Sequence, residues 1–368
     1  MGMPKNLFLV RHGQSEGNLI RKKFEESGNE AFFSDEFLGL HESQYALTEL
    51  GVSQAEKAGQ WLRDKEFTHF DRMLVSNNVR AMQTAAHLKI PDAIWMIDFN
   101  LRERDGGMFN SIVPSKRDSD YADQQKFYNT QPFLFRPPQG ESIADVSQRI
   151  KLVLDTLARE CDGKDVIIVC HGHVMRTFRI VLEKISLQKT NEFLSGNDEW
   201  ARVPNCSIIH YTRKNPFQDV LQLSDRFDWI RVIRPAGGGN PEDEFSTIER
   251  KKFSNQELLT EAIKNRSVGM EQISEEKINI LITTYNWDRD MVIKKIAETQ
   301  TLLGLPSLND AINFITGLNK KAIICDGCNV RKPWEHRCHR EHALVMDKSA
   351  NHRCECADCF VVFELGID

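Results

Sequence analysis

The chain has no long apolar run, no dominant charge and few cysteines over most of its length, and each absence narrows the class of protein. The first apolar stretch, Leu7-Phe8-Leu9-Val10, ends at Arg11, too early for a signal-peptide core. Nothing later approaches the roughly 20 apolar residues that cross a bilayer. Against 53 Asp and Glu stand 48 Lys and Arg, a formal net charge of -5. That balance provides no general polyanion-binding surface, so any anion must be drawn by local arginines. Of nine cysteines, Cys161, Cys170 and Cys206 are scattered, and the other six lie between Cys325 and Cys359, a metal-site distribution. With 40% hydrophobic and 27% charged residues in 368, the composition fits a globular protein with one sizeable core and smaller modules. A cytoplasmic location with no membrane partner is expected.

What is present is concentrated after two apolar segments. The first runs directly into Arg11-His12-Gly13-Gln14-Ser15-Glu16-Gly17-Asn18, and Asp165-Val166-Ile167-Ile168-Val169-Cys170 delivers His171-Gly172-His173. Such runs read as buried strands. Open α/β sheets place their chemistry outside the carboxyl ends of strands like these. Two strand-end histidines beside an arginine suggest a phosphate site.

Four ordered segments resemble the histidine phosphatase superfamily, the phosphoglycerate mutase-like fold. Arg11-His12-Gly13 with Ser15 and Asn18 matches its first motif, and segment 76–85, opening at Ser76 with Arg80 at the arginine position, matches its second. Leu101, Glu103 and Gly107 fit the Leu-x-Glu-x-x-x-Gly segment that carries the family's general acid, and Cys170-His171-Gly172 fits its late strand-His-Gly motif. Leu47-Thr48-x-x-Gly51 and Gly140-Glu141-Ser142 agree with further segments, so that the resemblance covers residues 5–232. It implies a three-layer α/β domain with a mostly parallel sheet, acting through a phosphohistidine.

The residues suit that chemistry. A neutral imidazole attacks phosphorus when one ring nitrogen is free and the other is held by a hydrogen bond that fixes the tautomer, the role read for His12. The phosphoryl group in transfer spreads charge over its equatorial oxygens, which Arg11, Arg80 and His171 are expected to meet. Ser15, Asn18 and Gly172 complete the phosphate-binding candidates. Glu103 is the candidate proton donor to the leaving alkoxide and later the base toward water, with Asp105 as the alternative in the same charged segment. His173 is left outside the catalytic set. No metal is needed for this scheme.

Segments 7–10, 73–75, 166–170, 207–211 and 220–223 read as strands. Ser142 can N-cap a helix with Ile143, Val146, Ile150, Val153, Leu154 and Leu157 on one face. A helix over 174–184 would turn the positive end of its dipole toward His171. Segments 20–45 and 118–136 read as an insertion and a lid that set substrate choice.

The cluster Pro235-Ala236-Gly237-Gly238-Gly239-Asn240-Pro241 reads as a linker. The division is then 1–234 as the α/β domain, 235–254 as linker, 255–320 as a small helical bundle and 321–368 as a zinc module. Within the bundle, 275–317 resembles a ubiquitin-associated domain, although Tyr285-Asn286-Trp287 replaces the Met-Gly-Phe or Met-Gly-Tyr of that family. Cys325-x-x-Cys328 and Cys356-x-x-Cys359 have the spacing of two zinc knuckles, with Cys338, His342 and Cys354 between them as further ligands for one or two structural ions. The Cys-Asp-Gly-Cys opening resembles a ZZ-type or other treble-clef finger.

Three functions follow. The first is a phosphatase acting on a phosphorylated small molecule or phosphoprotein. The second is a phosphoglycerate-type phosphomutase, and the third is a signalling or scaffold protein whose rear modules bind a protein or nucleic acid. Eight acidic residues against six Lys and Arg in 325–368 favour a protein partner over nucleic acid.

Overall fold

The computed structural model describes residues 2–194, 203–218, 222–237, 244–267, 275–286, 288–303, 311–312, 315, 323–324, 331–332, 345–346 and 352–353. Its contacts divide the chain into two units, Met1–Lys252 and Phe253–Asp368.

In the first unit, β1 (Asn6–Arg11) leads into α1 (Glu16–Ser27), α2 (Asp35–Gly39) and α3 (Glu49–Asp64), then β2 (Arg72–Val75), α4 (Val79–His87) and β3 (Trp95–Ile97). Next come α5 (Pro114–Asp120), α6 (Ala122–Thr130), α7 (Ile143–Glu160), β4 (Asp165–Cys170), α8 (Gly172–Glu183) and α9 (Leu187–Leu194). Three strands close the unit: β5 (Ile208–Thr212), β6 (Trp229–Ile233) and β7 (Ser246–Thr247). All seven strands form one sheet in the order β3-β2-β4-β1-β5-β6-β7. It is parallel from β3 to β1 and antiparallel from β1 to β7.

Alternation along the central strands fills both faces. Leu7 and Leu9 of β1 with Val166, Ile168 and Cys170 of β4 pack against Val146, Ile150 and Val153 of α7 and Val174 and Phe178 of α8. Phe8 and Val10 with Ile167 and Val169 point the other way, onto Ala55, Ala58 and Leu62 of α3 and Ala81 and Ala85 of α4. A strand buried on both sides must be apolar at every position, which is why β1 and β4 stand out in the sequence. The helix expected after Ser142 is α7, closed by a reciprocal cap in which Ser142 and Asp145 satisfy each other's backbone N–H.

Three strands differ from the sequence reading. β3, β6 and β7 were not expected, and in 220–223 the described Leu223 makes only an isolated bridge to Lys214. The partner of β5 is instead β6, whose Arg231 interrupts the apolar run that would have marked it. The stretch read as linker, 235–254, is also shorter than expected. Within it β7 adds to β6, Ile248 is buried in the core, and Arg250 donates to the carbonyls of Leu182 (2.9 Å) and Phe227 (2.5 Å). A two-residue edge strand and one isoleucine have no periodicity to detect.

The second unit contains α10 (Asn255–Ser267), α11 (Glu275–Tyr285) and α12 (Arg289–Leu303). Ile278, Leu281, Val292 and Ile296 are buried there, as are Ala311, Ile312 and Ile315. Leu258 and Leu259 of α10 are 56% and 61% exposed. Two short antiparallel pairs follow, β8 (Ile323–Ile324) with β9 (Arg331–Lys332) and β10 (Val345–Met346) with β11 (His352–Arg353). The zinc-ligand candidates Cys325, Cys328, Cys338, His342, Cys354, Cys356 and Cys359 lie outside the described residues, as do 304–310 of the ubiquitin-associated-like segment. Among the described residues no helix is long and apolar enough to cross a membrane, and no group of three His, Cys, Asp or Glu side chains is placed to hold a metal ion.

Candidate active site

Register brings the two histidines together. Arg11 pairs with Cys170 at the carboxyl ends of β1 and β4, so the next residue of each strand, His12 and His171, leaves the sheet beside the other. Their ring centroids are 5.1 Å apart, and the His12 N–H donates to the Cys170 carbonyl at 3.0 Å. The chain then turns against the start of α3, where a Cβ on Gly13 would stand 2.3 Å from the Gly51 carbonyl oxygen. That close approach requires glycine.

His12 is almost fully buried, and its Nδ1–H donates to the Gly13 carbonyl at 2.7 Å. Nε2 is thereby the unprotonated nitrogen, and the Arg80 Nε–H donates to it at 3.3 Å. Burial, reinforced by Arg80, His171 and Arg11, holds the His12 pKa well below the ordinary histidine value. Arg80, from α4, also donates through Nη1 to the Glu42 carbonyl. Arg11 donates to the Val203 carbonyl, while its Nε is buried without a partner among the described residues. Burial lowers the Arg11 pKa to about 10, so it stays cationic at neutral pH.

A cavity of about 470 Å³ opens here, lined by Arg11, His12, Ser15, Asn18, Arg80, Glu103 and Gly172 of the sequence-predicted set. His171 does not line it. That ring is wholly buried behind His12, with Nε2 at 2.8 Å from the Ser76 hydroxyl and Nδ1 lacking a partner among the described residues. Ser15 and Asn18 have a structural task as well, capping α1 through each other's backbone N–H. The Ser15 O–H and the Asn18 side-chain N–H remain as donors, since only their oxygens are used in that cap.

The acid segment is held from below. Glu141 accepts from Arg102 at 2.6 Å, from Arg149 at 3.1 Å through both Nε and Nη2, and from the Asp105 N–H at 3.1 Å. Arg149 reaches on to the Glu103 carbonyl at 3.2 Å. Gly107 closes the turn at a φ of +53°, where a side chain would meet the Pro138 carbonyl. Glu103 faces the cavity, whereas the Asp105 carboxylate accepts from the Gly107 N–H at 2.7 Å and does not line it. Burial on its own raises the Glu103 carboxyl, but His173, 3.7 Å away, together with His171 and Arg80 holds it well below the usual range. Glu103 is therefore ionised at neutral pH.

Several contributors escaped sequence reading. His173, outside the candidate catalytic set, stands with Nδ1 3.7 Å from the Glu103 carboxylate. Asn205 donates to the His12 carbonyl at 2.9 Å and to Asn18 at 3.1 Å, and lies in a loop without an apolar pattern to flag it. Glu42 lines the cavity from segment 20–45, as do Arg21 and Tyr45, while Arg117, Gln125 and Tyr128 enter from α5 and α6. The segments expected as an insertion and a lid thus both reach the cavity.

Fold and cavity together define an α/β protein built around paired strand-end histidines and arginines. A profile of the histidine phosphatase superfamily (branch 1) matches residues 7–214, more than half of the chain, and the chain belongs to that superfamily. It is 30% identical over 208 residues to a 2,3-bisphosphoglycerate-dependent phosphoglycerate mutase of Methylobacterium sp. (strain 4-46), covering 55% of this chain and 90% of that one. It is also 26% identical over 173 residues to a 6-phosphofructo-2-kinase/fructose-2,6-bisphosphatase of Aquarana catesbeiana, covering 47% of this chain and 32% of the relative. Among solved structures, a mycobacterial glucosyl-3-phosphoglycerate phosphatase matches at a TM-score of 0.43 and 22% identity, over 56% of this chain and 89% of its own.

Proposed function

We propose that this protein hydrolyses a phosphate monoester through a phosphohistidine on His12. One observation carries the reading: His12 lines a cavity shared with Arg11 and Arg80, its Nδ1 committed to Gly13 and its Nε2 left as the nucleophilic nitrogen. In the first step Nε2 forms a bond to phosphorus as the bond to the leaving alkoxide breaks. The lone pair must first be released by Arg80, which transfers its hydrogen bond from Nε2 to a phosphoryl oxygen. Arg11, held against the start of α8, meets another oxygen, and the planar guanidinium fork suits both contacts.

The leaving oxygen takes its proton from Glu103. That carboxyl is ionised without phosphate, and the negative charge of the bound group raises its proton affinity, with His173 adjacent to exchange the proton. In the second step Glu103 receives a proton from water, whose oxygen attacks phosphorus and breaks the N–P bond. His171 supports the scheme as a positioning residue behind His12.

Phosphate release from an aryl phosphate and from panels of phosphorylated metabolites and phosphopeptides tests the reading. The expected result is net phosphate release that requires His12. Isomerisation of a phosphoglycerate without net release would mark the phosphomutase activity named for the Methylobacterium relative.

For the rear segment, the paired Cys-x-x-Cys spacing supports a structural zinc site on Cys325, Cys328, Cys356 and Cys359, with Cys338, His342 and Cys354 as additional ligands, in a module that binds a protein partner. Metal analysis of the purified chain, with chelation followed by circular dichroism, checks it. Zinc below one ion per chain would refute the site.

A further inference from the structure

The cavity contains a carboxyl that the proposed chemistry does not use. Glu42 begins a single 3-10 turn, Glu42–Gln44, and is 8% exposed. Its carbonyl accepts from Arg80, but its carboxyl has no hydrogen bond or ion pair among the described residues, although it belongs to a residue that lines the cavity. The charged and titratable groups facing it are Arg80 from α4, Arg21 from α1, Glu103, Arg104 and Asp105 from the acid segment, and Tyr45 from its own segment. Burial, followed by Glu103, raises the Glu42 carboxyl to about 7, against the opposite shift at Glu103. A carboxylate and a phosphate dianion in one cavity repel one another, and a carboxyl that already holds its proton to about neutral pH is readily kept neutral by the anion.

We propose that Glu42 is a phosphate-binding residue that works as a neutral acid, keeping its proton when phosphate occupies the cavity and donating that O–H to a phosphoryl oxygen. The inference rests on the phosphate-site reading above. Ionised, Glu42 would set a repulsive charge against the bound anion; protonated, it supplies a hydrogen bond to that anion, among the stronger kinds. The pH dependence has a definite sign. A bound anion raises the proton affinity of Glu42 further, so binding above about pH 7 takes up a proton and affinity falls as pH rises. The residue thereby ties substrate affinity to pH from the segment read as the insertion over the site.

Titration calorimetry of inorganic phosphate into the full chain, in buffers of different ionisation enthalpy, tests this. At about pH 8.5 the unmodified protein is expected to take up close to one proton more than Glu42→Gln, which keeps the shape and a donor but cannot titrate. Between about pH 7 and about pH 8.5 its affinity should fall about tenfold relative to that variant. Phosphate binding with identical proton uptake and pH profile in both chains overturns the role of Glu42 and leaves the phosphate site standing. An unmodified chain that binds no phosphate overturns both. A second readout, with Glu103 in place, is infrared difference spectroscopy of the unmodified chain against Glu42→Gln. A protonated-carboxyl C=O band that grows on phosphate addition at about pH 8.5 supports the proposal, and its absence refutes it.

Discussion

His12 and His171 occupy equivalent places at the ends of adjacent parallel strands, yet their surroundings give them different work. His12 has Nδ1 on a backbone carbonyl and reaches the cavity; His171 has Nε2 on the Ser76 hydroxyl and stays behind the first ring. The strand fixes where a histidine stands, and the hydrogen-bond partner fixes which nitrogen is free and therefore what the ring can do. A sequence exposes the first of these and hides the second.

The largest effect should come from breaking the pair at His12. His12→Ala is expected to lower phosphate release by about 10⁴-fold or more, because no other group at the strand ends can accept the phosphoryl group. Near-normal turnover, measured with an aryl phosphate, would move the nucleophile elsewhere. Glu103→Gln sharpens the comparison from the leaving-group side. It should slow alkyl phosphates by about 10²–10⁴-fold and activated aryl phosphates far less, since only alkoxides need a proton in the transition state. Equal losses on both would remove Glu103 from that role. His171→Ala should cost about 10–100-fold while still allowing phosphorylation of His12, as for a positioning residue that leaves the nucleophile intact. Complete loss of phosphoenzyme in that variant would place the two rings on an equal footing.

Acid pH probes what the pair shares. Burial first, with the nearby arginines, depresses both pKa values well below the ordinary histidine value of 6.5. The neutral nucleophile therefore persists below that pH, and the acid limb of kcat/KM due to His12 lies beneath it. The unfolded chain binds protons at both rings near the ordinary pKa. The stability linked to the pair is accordingly full above 6.5 and lost as pH falls toward the folded-state values. Chemical denaturation across acid pH checks the sign.

The smallest effect separates the two sides of the pair by their support. Arg250 holds α8, which follows His171, through the Leu182 carbonyl, and Ile248 fills the same core. A chain ending at Lys252 should keep full stability of the first unit, and one ending at Pro235 should lose about 3 kcal/mol from the buried isoleucine and the arginine hydrogen bonds. Equal denaturation midpoints would show that 236–252 contributes nothing to the fold.

The residues that were legible in the sequence share a physical reason. β1 and β4 are buried on both faces, so an unbroken apolar run reports them, and the polar residues that follow are conspicuous. α7 announces itself through Ser142 and a 3.6-residue apolar repeat. β6 and β7 were missed because Arg231 and the short length of Ser246–Thr247 leave no periodic signal. Within the site, His12, Arg11, Arg80 and Glu103 stand in motifs, whereas Glu42, Asn205 and His173 depend on contacts that form only when distant segments converge. The supporting task of Glu141 was hidden for the same reason, since it is written in two side chains and one backbone N–H, each 8 or more residues away.

The most direct measurement is to trap the covalent state. Full-length protein exposed briefly to an aryl phosphate, quenched in base and digested, should yield one acid-labile phosphoryl group on the peptide containing His12, absent from His12→Ala and retained in His171→Ala. Rapid phosphate release with no phosphoryl group on that peptide, or with the group on His171, would contradict the assignment of His12 as nucleophile.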